Sequence, residues 1–449
     1  MSIKPSSKSY GPPSPPSSLP TMPASLPPLT ALETAMVASM NGRRDANLPR
    51  FDGDIVFPDH AGDFFSNDYL SVNRLPHIRQ QFLDTLANEP LLLGSTGTRA
   101  IAGTTPQHVS LERYFSQQFD VEQAMIFNGG YMANLTFFGY APQPGDVILY
   151  DEYIHASMHD GIRISRAANQ AFGFVHNSLK DLESKIKQIL QQYPKIADGT
   201  STLFIVLESV YSMDGDFAPM EEIIDLVEKY VPPQSAHIAV DEAHSIGLFG
   251  PGGKGLLREW GLEKRVHSVI FPLTKAVNFI GGVLTTTPLI YQYLSNYARS
   301  WLYATSLPHV DVVGIKFCFE VMQTPEADEL RCKVADNSWL FWKLFNEATR
   351  DIPRDVLSLL NPDTKNLHSR GLISPVFPLH TMRAVSLQHW LTKYGYGAHA
   401  IVYPGVPKGT DRVRAVIHGK NTEGEIRDFV KILRRWALHQ ASQTVQARL

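Results

Sequence analysis

Short apolar runs alternate with longer helical segments from about residue 91 onward, and this alternation most limits how the chain can fold. The runs are rich in β-branched residues and resemble strands that are buried on both faces. The predicted strands are Ala124–Asn128, Val147–Tyr150, Leu203–Leu207, Ile238–Val240, Ser268–Pro272 and Val283–Thr286. Strand–helix alternation of this kind predicts an α/β fold with an open, mostly parallel sheet flanked by helices.

Composition excludes several classes of protein. The 449 residues are 43% hydrophobic and 19% charged, the balance of a soluble globular protein. The 41 basic and 44 acidic side chains are mixed along the chain, which argues against a nucleic-acid-binding protein. No run of about 18 apolar residues occurs, so no membrane span is expected. Two cysteines, Cys318 and Cys332, are too few for a disulfide framework and fit a reducing compartment.

The two ends of the chain differ from its middle. Residues 1–30 are rich in proline and serine and predict a disordered tail. A helix is predicted from Leu29 to Met40, ended by Asn41-Gly42. We predict an N-terminal segment over 31–90, a large domain over 91–310, a small C-terminal domain over 311–441 and a flexible tail over 442–449.

Polar residues follow several predicted strands, and this is where open parallel sheets bind their ligands. Asp241 closes one strand, with His244 three residues later, and Lys275 lies inside an apolar run. Burial lowers the pKa of a lysine, as covalent attachment to a carbonyl ligand requires. Taken singly, Asp241 could instead cap a helix and Lys275 could reach solvent from an edge strand.

A glycine-rich turn and a histidine complete this set. The turn Asn128-Gly-Gly-Tyr131 follows a strand and suits an anion, because N–H groups of the next helix point towards it, although plain tight turns are common. His155 could stack on a flat ring or fill a polar corner. A lysine, a carboxylate, a histidine and an anion-binding turn together match one ligand, pyridoxal 5′-phosphate (PLP).

Other catalytic motifs do not fit. Residues 247–255 are rich in glycine but lack the spacing of a phosphate-binding P-loop. His155 and His159 have the spacing of paired metal ligands, yet the glutamate of a zinc-protease motif is missing. No serine-hydrolase elbow occurs. We therefore predict neither a metal site nor a serine-hydrolase site.

Seven sequence blocks, in order, resemble those of the α-oxoamine synthases, which are PLP enzymes of fold type I that condense an amino acid with an acyl thioester. The resemblance covers about Leu32 to Ala441. The blocks are Ser66-Asn-Asp-Tyr-Leu70, Gly94-Ser-Thr-Gly-Thr-Arg99 with Gly103 and His108–Glu112, His155-Ala-Ser157, Glu208–Asp216, Asp241-Glu-Ala-His244, Lys275, and Val406-Pro407 with Arg412-Val-Arg414. The resemblance implies a mostly parallel seven-stranded sheet in the large domain and a smaller C-terminal α/β domain.

The resemblance also implies a role for each matched residue. Lys275 would bind the cofactor covalently and remove the Cα proton, while Asp241 would face the pyridine nitrogen and His244 the ring hydroxyl. His155 would stack on the ring, and Arg414 would bind the substrate carboxylate. The other residues that we expect to bind cofactor or substrate are Gly129, Gly130, Tyr131, Ser212, Thr274 and Thr305 for the cofactor, and Asn67 and Arg43 for the substrate.

Three positions depart from the family pattern. Pro272 replaces a phosphate-binding hydroxyl residue three positions before the lysine, and Ala304 replaces a common serine or threonine. Asn421 stands where many members have histidine. Loss of phosphate-binding hydroxyls weakens cofactor binding, since each charge-assisted hydrogen bond is worth about 1.5–3 kcal/mol.

The implied activity is an acyltransferase reaction, a decarboxylative condensation of an amino acid with an acyl-CoA. The chain ends Ala447-Arg-Leu449, a variant of a peroxisomal signal, without which a cytoplasmic location is expected. A peroxisomal enzyme favours an acyl-CoA made by fatty-acid β-oxidation, so we expect L-alanine and pimeloyl-CoA, which yield 8-amino-7-oxononanoate for biotin. The family places the Tyr303–Ser306 loop in the neighbouring subunit's site, so we also expect a homodimer with shared active sites.

Three alternatives stay open at this point. A diverged synthase of secondary metabolism would join another amino acid to a polyketide or fatty acyl thioester, and Pro272 and Ala304 favour it. An aminotransferase of the same fold is disfavoured by the His155-Ala-Ser157 and Glu208–Asp216 blocks. A non-catalytic subunit of a heterodimer is disfavoured by Lys275.

Overall fold

The computed structural model of the protein describes residues 29–45, 62–359 and 368–446, with side chains described over 29–42, 62–359 and 368–443. Most of the predicted tail over 1–30, the signal residues 447–449 and the side chain of Arg43 lie outside the described residues. Residues 56–449 form one compact unit, and residues 1–55 belong to another. Across the described stretches, no helix combines the length and apolar character needed to cross a bilayer.

The helices are bounded by strong local signals, and several begin at a Pro preceded by a Thr cap, as at Thr105, Thr287 and Thr324. The helices are α1 Ala31–Asp45, α2 Pro76–Ala87, α3 Pro106–Phe119, α4 Gly130–Tyr140, α5 Ala156–Ile164, α6 Leu179–Gln192, α7 Pro194–Ala197, α8 Met220–Tyr230, α9 Leu256–Glu259, α10 Pro288–Tyr297, α11 Arg299–Leu302, α12 His309–Val321, α13 Pro325–Ala348, α14 Ala384–Lys393 and α15 Glu423–Gln446.

The strands are mostly short and buried. They are β1 Gly62–Asp63, β2 Gln123–Phe127, β3 Val147–Asp151, β4 Ala171–Phe174, β5 Leu203–Glu208, β6 Ala236–Asp241, β7 Ser268–Pro272, β8 Gly282–Thr286, β9 Ser358–Leu359, β10 His368–Ser369, β11 Leu372–Ile373, β12 Val376–His380, β13 Tyr396–Gly397, β14 His399–Ile401 and β15 Arg412–Val416. All six predicted strands are present, within two residues of their expected ends.

The largest sheet has seven strands in the order β2-β8-β7-β6-β5-β3-β4. Neighbours from β4 to β7 pair in parallel, and β8 runs antiparallel to both β7 and β2. The predicted mostly parallel, seven-stranded sheet is therefore confirmed. Its carboxyl edge is the place where ligands bind in sheets of this kind.

Both faces of this sheet are buried, which explains the apolar runs in the sequence. In β5, Leu203, Ile205 and Leu207 pack into one hydrophobic cluster. Phe204 and Val206 pack into another. Because successive side chains of a strand point to opposite faces, the two clusters cover the two faces of the sheet.

A second core surrounds a four-stranded antiparallel sheet with the order β14-β15-β12-β9. Phe341 of α13 and Phe429 and Trp436 of α15 pack against Phe377 and Val413 of this sheet. Strand β15 carries Arg412 and Arg414, so this sheet delivers the predicted carboxylate-binding arginine. The division of the chain at 90/91, 310/311 and 441/442 stays a prediction.

Helices near both ends of the described chain extend further than the sequence pattern indicates. Helix α1 begins at Ala31, two residues after the predicted start at Leu29. Thr30 and Glu33 cap each other there, with Glu33 N to Thr30 Oγ1 at 3.2 Å and Thr30 N to Glu33 Oε2 at 2.7 Å. It continues through Gly42 to Asp45, since one helical glycine costs only about 1 kcal/mol. Helix α15 continues past residue 441 to Gln446, and Gln443 Nε2 hydrogen-bonds His439 Nε2 at 3.0 Å along it.

Candidate active site

Two parallel strands end side by side in carboxylates at the carboxyl edge of the large sheet. Glu208 ends β5 and Asp241 ends β6, directly paired in register. Their exposed fractions are 2% and 3%. Both line a cavity of about 300 Å³, and Lys275, three residues beyond the end of β7, lines the same cavity. The sheet topology thus brings an amine and two acids together.

The carboxylate of Asp241 is held by neutral donors. Asn134 of α4 donates from Nδ2 to Oδ2 of Asp241 at 2.6 Å, and the Ala243 N–H donates to Oδ1 at 2.7 Å. The Asn134 amide also donates to Ser157 Oγ at 3.0 Å. These two donors fix the orientation of the carboxylate at the wall of the cavity.

Lys275 offers a free amine to the cavity. Its side chain is half-buried, and no hydrogen bond or ion pair holds its Nζ among the described residues. Burial lowers the pKa of Lys275, although the negative charges of Asp241 and Glu208 oppose this shift. A lysine whose pKa is lowered in this way is a better nucleophile near neutral pH.

Two histidines flank the amine and both are kept neutral. Loss of hydration lowers the pKa of His155, against the negative charge of Asp241. Burial lowers the pKa of His244 well below its usual value, and the positive charge of Lys275 adds to this. His155 caps α5, with Nδ1 accepting from Ser157 N at 3.2 Å, and His244 Nδ1 lies 2.6 Å from the Tyr69 hydroxyl.

Glu208 contributes a second acid of different character. Burial raises its pKa well above the usual value, and the neighbouring charge of Asp241 raises it further. Its Oε1 has no hydrogen-bond partner among the described residues. Burial and the neighbouring carboxylate therefore both favour the neutral form of Glu208.

The glycine-rich turn lies where α4 meets the cavity. Gly129, Gly130 and Tyr131 line the cavity, and α4 begins at Gly130, so its free N–H groups open beside the ligand space. A Cβ at Gly130 would lie 2.3 Å from Cβ of Pro272. The residue that departs from the family pattern therefore packs directly on this turn, while the exposed Thr274 also lines the cavity.

Four of the predicted site residues do not line the cavity, namely Asn67, Ser212, Thr305 and Arg414. Arg414 donates from Nε to the Ser212 carbonyl at 2.6 Å and from Nη2 to Asn67 Oδ1 at 3.0 Å. It reaches the cavity indirectly, through Tyr69 and His244. The carbonyl of Thr305 accepts from Asn128 Nδ2 at 2.8 Å.

The sequence alone predicts no role for four of these groups, which are Asn134, Ser157, Glu208 and Tyr69. Ser157, Glu208 and Tyr69 lie within the matched blocks, so their positions were available as a signal. For Asn134 the only available signal was its position in α4, four residues and about one helical turn after Gly130. The third departure, Asn421, is structural, since its Oδ1 accepts from His418 N at 2.7 Å and its Nδ2 donates to the Asp63 carbonyl at 3.2 Å.

Comparison with known proteins agrees with this architecture. Residues 63–433 match the family model for aminotransferase class I and II. The chain is 34% identical to an 8-amino-7-oxononanoate synthase of Emericella nidulans, with 88% of this chain and 93% of that protein covered. It is 31% identical to the aminoacyl transferase sphA of Aspergillus fumigatus, with 83% and 80% covered. The chain belongs to the class I and II aminotransferase family.

Solved structures share the fold. A serine palmitoyltransferase of Sphingomonas wittichii superposes with a TM-score of 0.75 at 23% identity, covering 92% of this chain and all of that one. An 8-amino-7-oxononanoate synthase of Francisella tularensis gives 0.66 at 24% identity, covering 86% and 100%. Within its family, this chain is an α-oxoamine synthase, a PLP-dependent acyltransferase of fold type I.

The residues present fit PLP. Asp241 supplies a buried anion for a ring nitrogen, and Lys275 supplies an amine without a partner among the described residues. His155 and His244 line the space between them. The start of α4, with Thr274 nearby, provides N–H and hydroxyl donors for a phosphate.

Proposed function

We propose that the protein catalyses the decarboxylative condensation of L-alanine with an acyl-CoA, with pimeloyl-CoA as the leading donor. The observation that carries this is the arrangement of Lys275 and Asp241 in one cavity, with Arg414 connected to that cavity through Tyr69 and His244. The 34% identity to an 8-amino-7-oxononanoate synthase supports the substrate pair.

Each of these residues has a separate role in the proposed reaction. PLP, when bound, withdraws electrons from Cα of the amino acid. Arg414 and Asn67 hold the amino-acid carboxylate, while Lys275 removes the Cα proton. Cα then bonds to the acyl carbon as the carbon–sulfur bond breaks, and coenzyme A leaves as a thiolate that solvent protonates. The carboxylate leaves as carbon dioxide, and Lys275 returns its proton to Cα. The exposed His155 at the cavity orients the acyl carbonyl.

The test is a matrix of substrates. Alanine, glycine and serine are each supplied with acyl-CoA donors from pimeloyl to palmitoyl length, and coenzyme A release is followed with the PLP-loaded protein. We expect the highest rate with alanine and pimeloyl-CoA, and no release with Lys275→Ala. Turnover of long acyl chains alone would reject the biotin assignment, and an α-keto acid without carbon dioxide would indicate an aminotransferase.

A second candidate is a synthase that uses a long fatty or polyketide acyl thioester. Pro272 and Ala304, which depart from the family pattern, favour it. The same matrix separates the two candidates, because this one predicts turnover of palmitoyl-length donors with serine or glycine.

We propose further that the working unit is a homodimer with shared active sites. Apolar side chains near the Tyr303–Ser306 loop are strongly exposed in the single chain, with Ile101 at 88% and Tyr303 at 65%. The segments that carry these two side chains are joined by the Thr98–Thr305 bridge, and we infer that together they contribute to the contact with a second chain. Ile101→Glu should shift the sedimentation coefficient from dimer to monomer, whereas Leu289→Glu, at a site on α10 that is 74% exposed, should not.

The location is a proposal from sequence alone. Residues 447–449 match a small–basic–leucine signal. A fluorescent protein fused to the N-terminus should enter peroxisomes, and removal of Leu449 should leave it in the cytosol. Cytosolic fluorescence of the intact fusion would show that residues 447–449 are not a peroxisomal signal.

A further inference from the structure

The loop that carries Lys275 is tied to a distant part of the chain by one side-chain pair. Asn278, three residues after Lys275, donates from Nδ2 to Oδ1 of Asp68 at 2.5 Å. Both residues are half-buried. Neither belongs to the machinery described above, and the bond joins positions 210 residues apart in sequence.

The backbone at Asn278 makes this contact dependent on the residue type. Its φ is +66°, in the left-handed region that asparagine enters more readily than most residues. The Asn278 N–H donates to the Lys275 carbonyl at 2.9 Å and closes a turn that begins at the lysine. The residue whose backbone N–H closes the turn is therefore the one whose side chain Asp68 holds.

Asp68 lies between two residues that reach the site. Asn67 accepts from Arg414 at 3.0 Å, and the Tyr69 hydroxyl lies 2.6 Å from His244 Nδ1. One short segment thus contacts the predicted carboxylate-binding arginine, the lysine loop and the cavity histidine. A shift of this segment would move all three together.

Asp68 also occupies a costly environment. Its Oδ2 is buried without a hydrogen-bond partner among the described residues. Burial raises the pKa of Asp68 to about 7, against the positive charge of Arg74 and together with the negative charge of Asp63. Buried polar groups without partners are rare in folded proteins and call for an explanation.

We infer that Asp68 and Asn278 are a positioning pair that fixes the Lys275 turn relative to His244 and Arg414. This inference rests on the proposed function, because it assumes that Lys275 binds PLP. The pair acts through the turn, and neither residue touches the reacting atoms.

An exchange of the two side chains provides the test. Asn278→Asp places two carboxylates against each other, and Asn278→Gly keeps the backbone conformation but removes the amide. The double variant Asp68→Asn/Asn278→Asp restores one hydrogen bond with the donor and acceptor exchanged. We measure the PLP dissociation constant and the fraction of Lys275 trapped by borohydride, with thermal unfolding as the check on folding.

We expect Asn278→Asp to raise the PLP dissociation constant about tenfold or more, as loss of a charge-assisted hydrogen bond implies, and the double variant to return it to within about threefold of the parent. Folded single variants that bind like the parent, or a folded double variant no better than Asn278→Asp, would overturn the inference alone. A parent protein whose Lys275 is never trapped would overturn the proposed function as well.

Discussion

The Asn134 side-chain amide and the Asp241 carboxylate are joined by a 2.6 Å hydrogen bond, one of the shortest contacts of the candidate site. Asn134 is 1% exposed and its Nδ2 also donates to Ser157 Oγ, so the nitrogen end of the amide is held by two acceptors. Asp241 receives its second donor from the Ala243 backbone. The buried anion is therefore held in place by the helix that follows the glycine-rich turn.

Asn134→Ala should weaken PLP binding without unfolding the protein. The variant removes a hydrogen bond to a charged group, worth about 1.5–3 kcal/mol, so the PLP dissociation constant should rise about 10- to 100-fold. A titration followed by absorbance near ~420 nm measures it. Asn346→Ala, on the exposed surface of α13, is the matched control. Equal affinity in both variants would contradict the role of Asn134.

Gly130→Ala should disturb the phosphate end of the site, while Gly129→Ala should not. A Cβ at Gly130 would lie 2.3 Å from Cβ and 2.6 Å from Cγ of Pro272, whereas one at Gly129 meets nothing within 4 Å. Gly129 has an extended φ of 174°, which any residue adopts. Overpacking costs about 1–3 kcal/mol, so Gly130→Ala should lower both the melting temperature and the PLP affinity. Equal melting temperatures and PLP affinities of the two variants would show that Pro272 can move to make room for the Cβ.

Glu242→Gln should change how stability depends on pH. Burial raises the pKa of Glu242 to about 7, so between pH 4.5 and 7 the folded state keeps a proton that the unfolded state has lost. The free energy of unfolding therefore falls as pH rises across this window, by up to about 3 kcal/mol. Relative to the parent, Glu242→Gln should gain stability from pH 5 to pH 8 in urea unfolding.

Exposed Glu122→Gln is the control for this experiment, because its side chain lies outside the core. Its free energy of unfolding should differ from that of the parent by the same amount at both pH values. If the free energy of unfolding of Glu242→Gln also differs from that of the parent by the same amount at both pH values, the pKa of Glu242 is not raised in the folded protein.

His176 should stabilise the fold below neutral pH and lose that effect in base. Burial lowers the pKa of His176, but hydrogen bonds to Asp151 at 2.8 Å and Asp216 at 2.9 Å outweigh it and raise the pKa to about 10. Its contribution is fully present below pH 6.5 and is lost as pH rises towards 10.

His176→Gln leaves two buried carboxylates without their cation, which should cost about 3–5 kcal/mol at pH 6. The deficit relative to the parent should shrink at pH 10, as measured by urea unfolding at both values. Exposed His389→Gln should show no deficit at either pH. A deficit of constant size would mean that His176 acts by shape and not by charge.

The large sheet could be predicted from sequence because its strands are buried on both faces and therefore read as apolar runs. The strand that was missed, β4, has the sequence Ala171-Phe-Gly-Phe174 at the edge of the sheet and is mostly half-buried. A short edge strand with a glycine carries little apolar signal. Pairing with β3, and not its own composition, makes it a strand.

The site could be predicted only in part, because some of its contacts join residues that are distant in sequence. Asp241, His155, His244 and Lys275 follow strands and lie in local motifs, and the structure gathers them around one cavity. The Asn134–Asp241 bond joins residues 107 apart, and the Tyr69–His244 bond joins residues 175 apart. Such partnerships depend on helix and strand packing, which no local pattern encodes.

The connection between β7 and β8 limits how this site can change in evolution. Pro272 pairs with Gly282 at its base, and the Leu273 N–H donates to the Gly281 carbonyl at 3.0 Å, so the nine residues 273–281 close on themselves. A one-residue change of length that passed into β8 would turn Val283 and Leu284 each to the other face of the sheet. Diversification around Lys275 is thereby confined to replacement at constant length, and homologues should align through this segment without gaps.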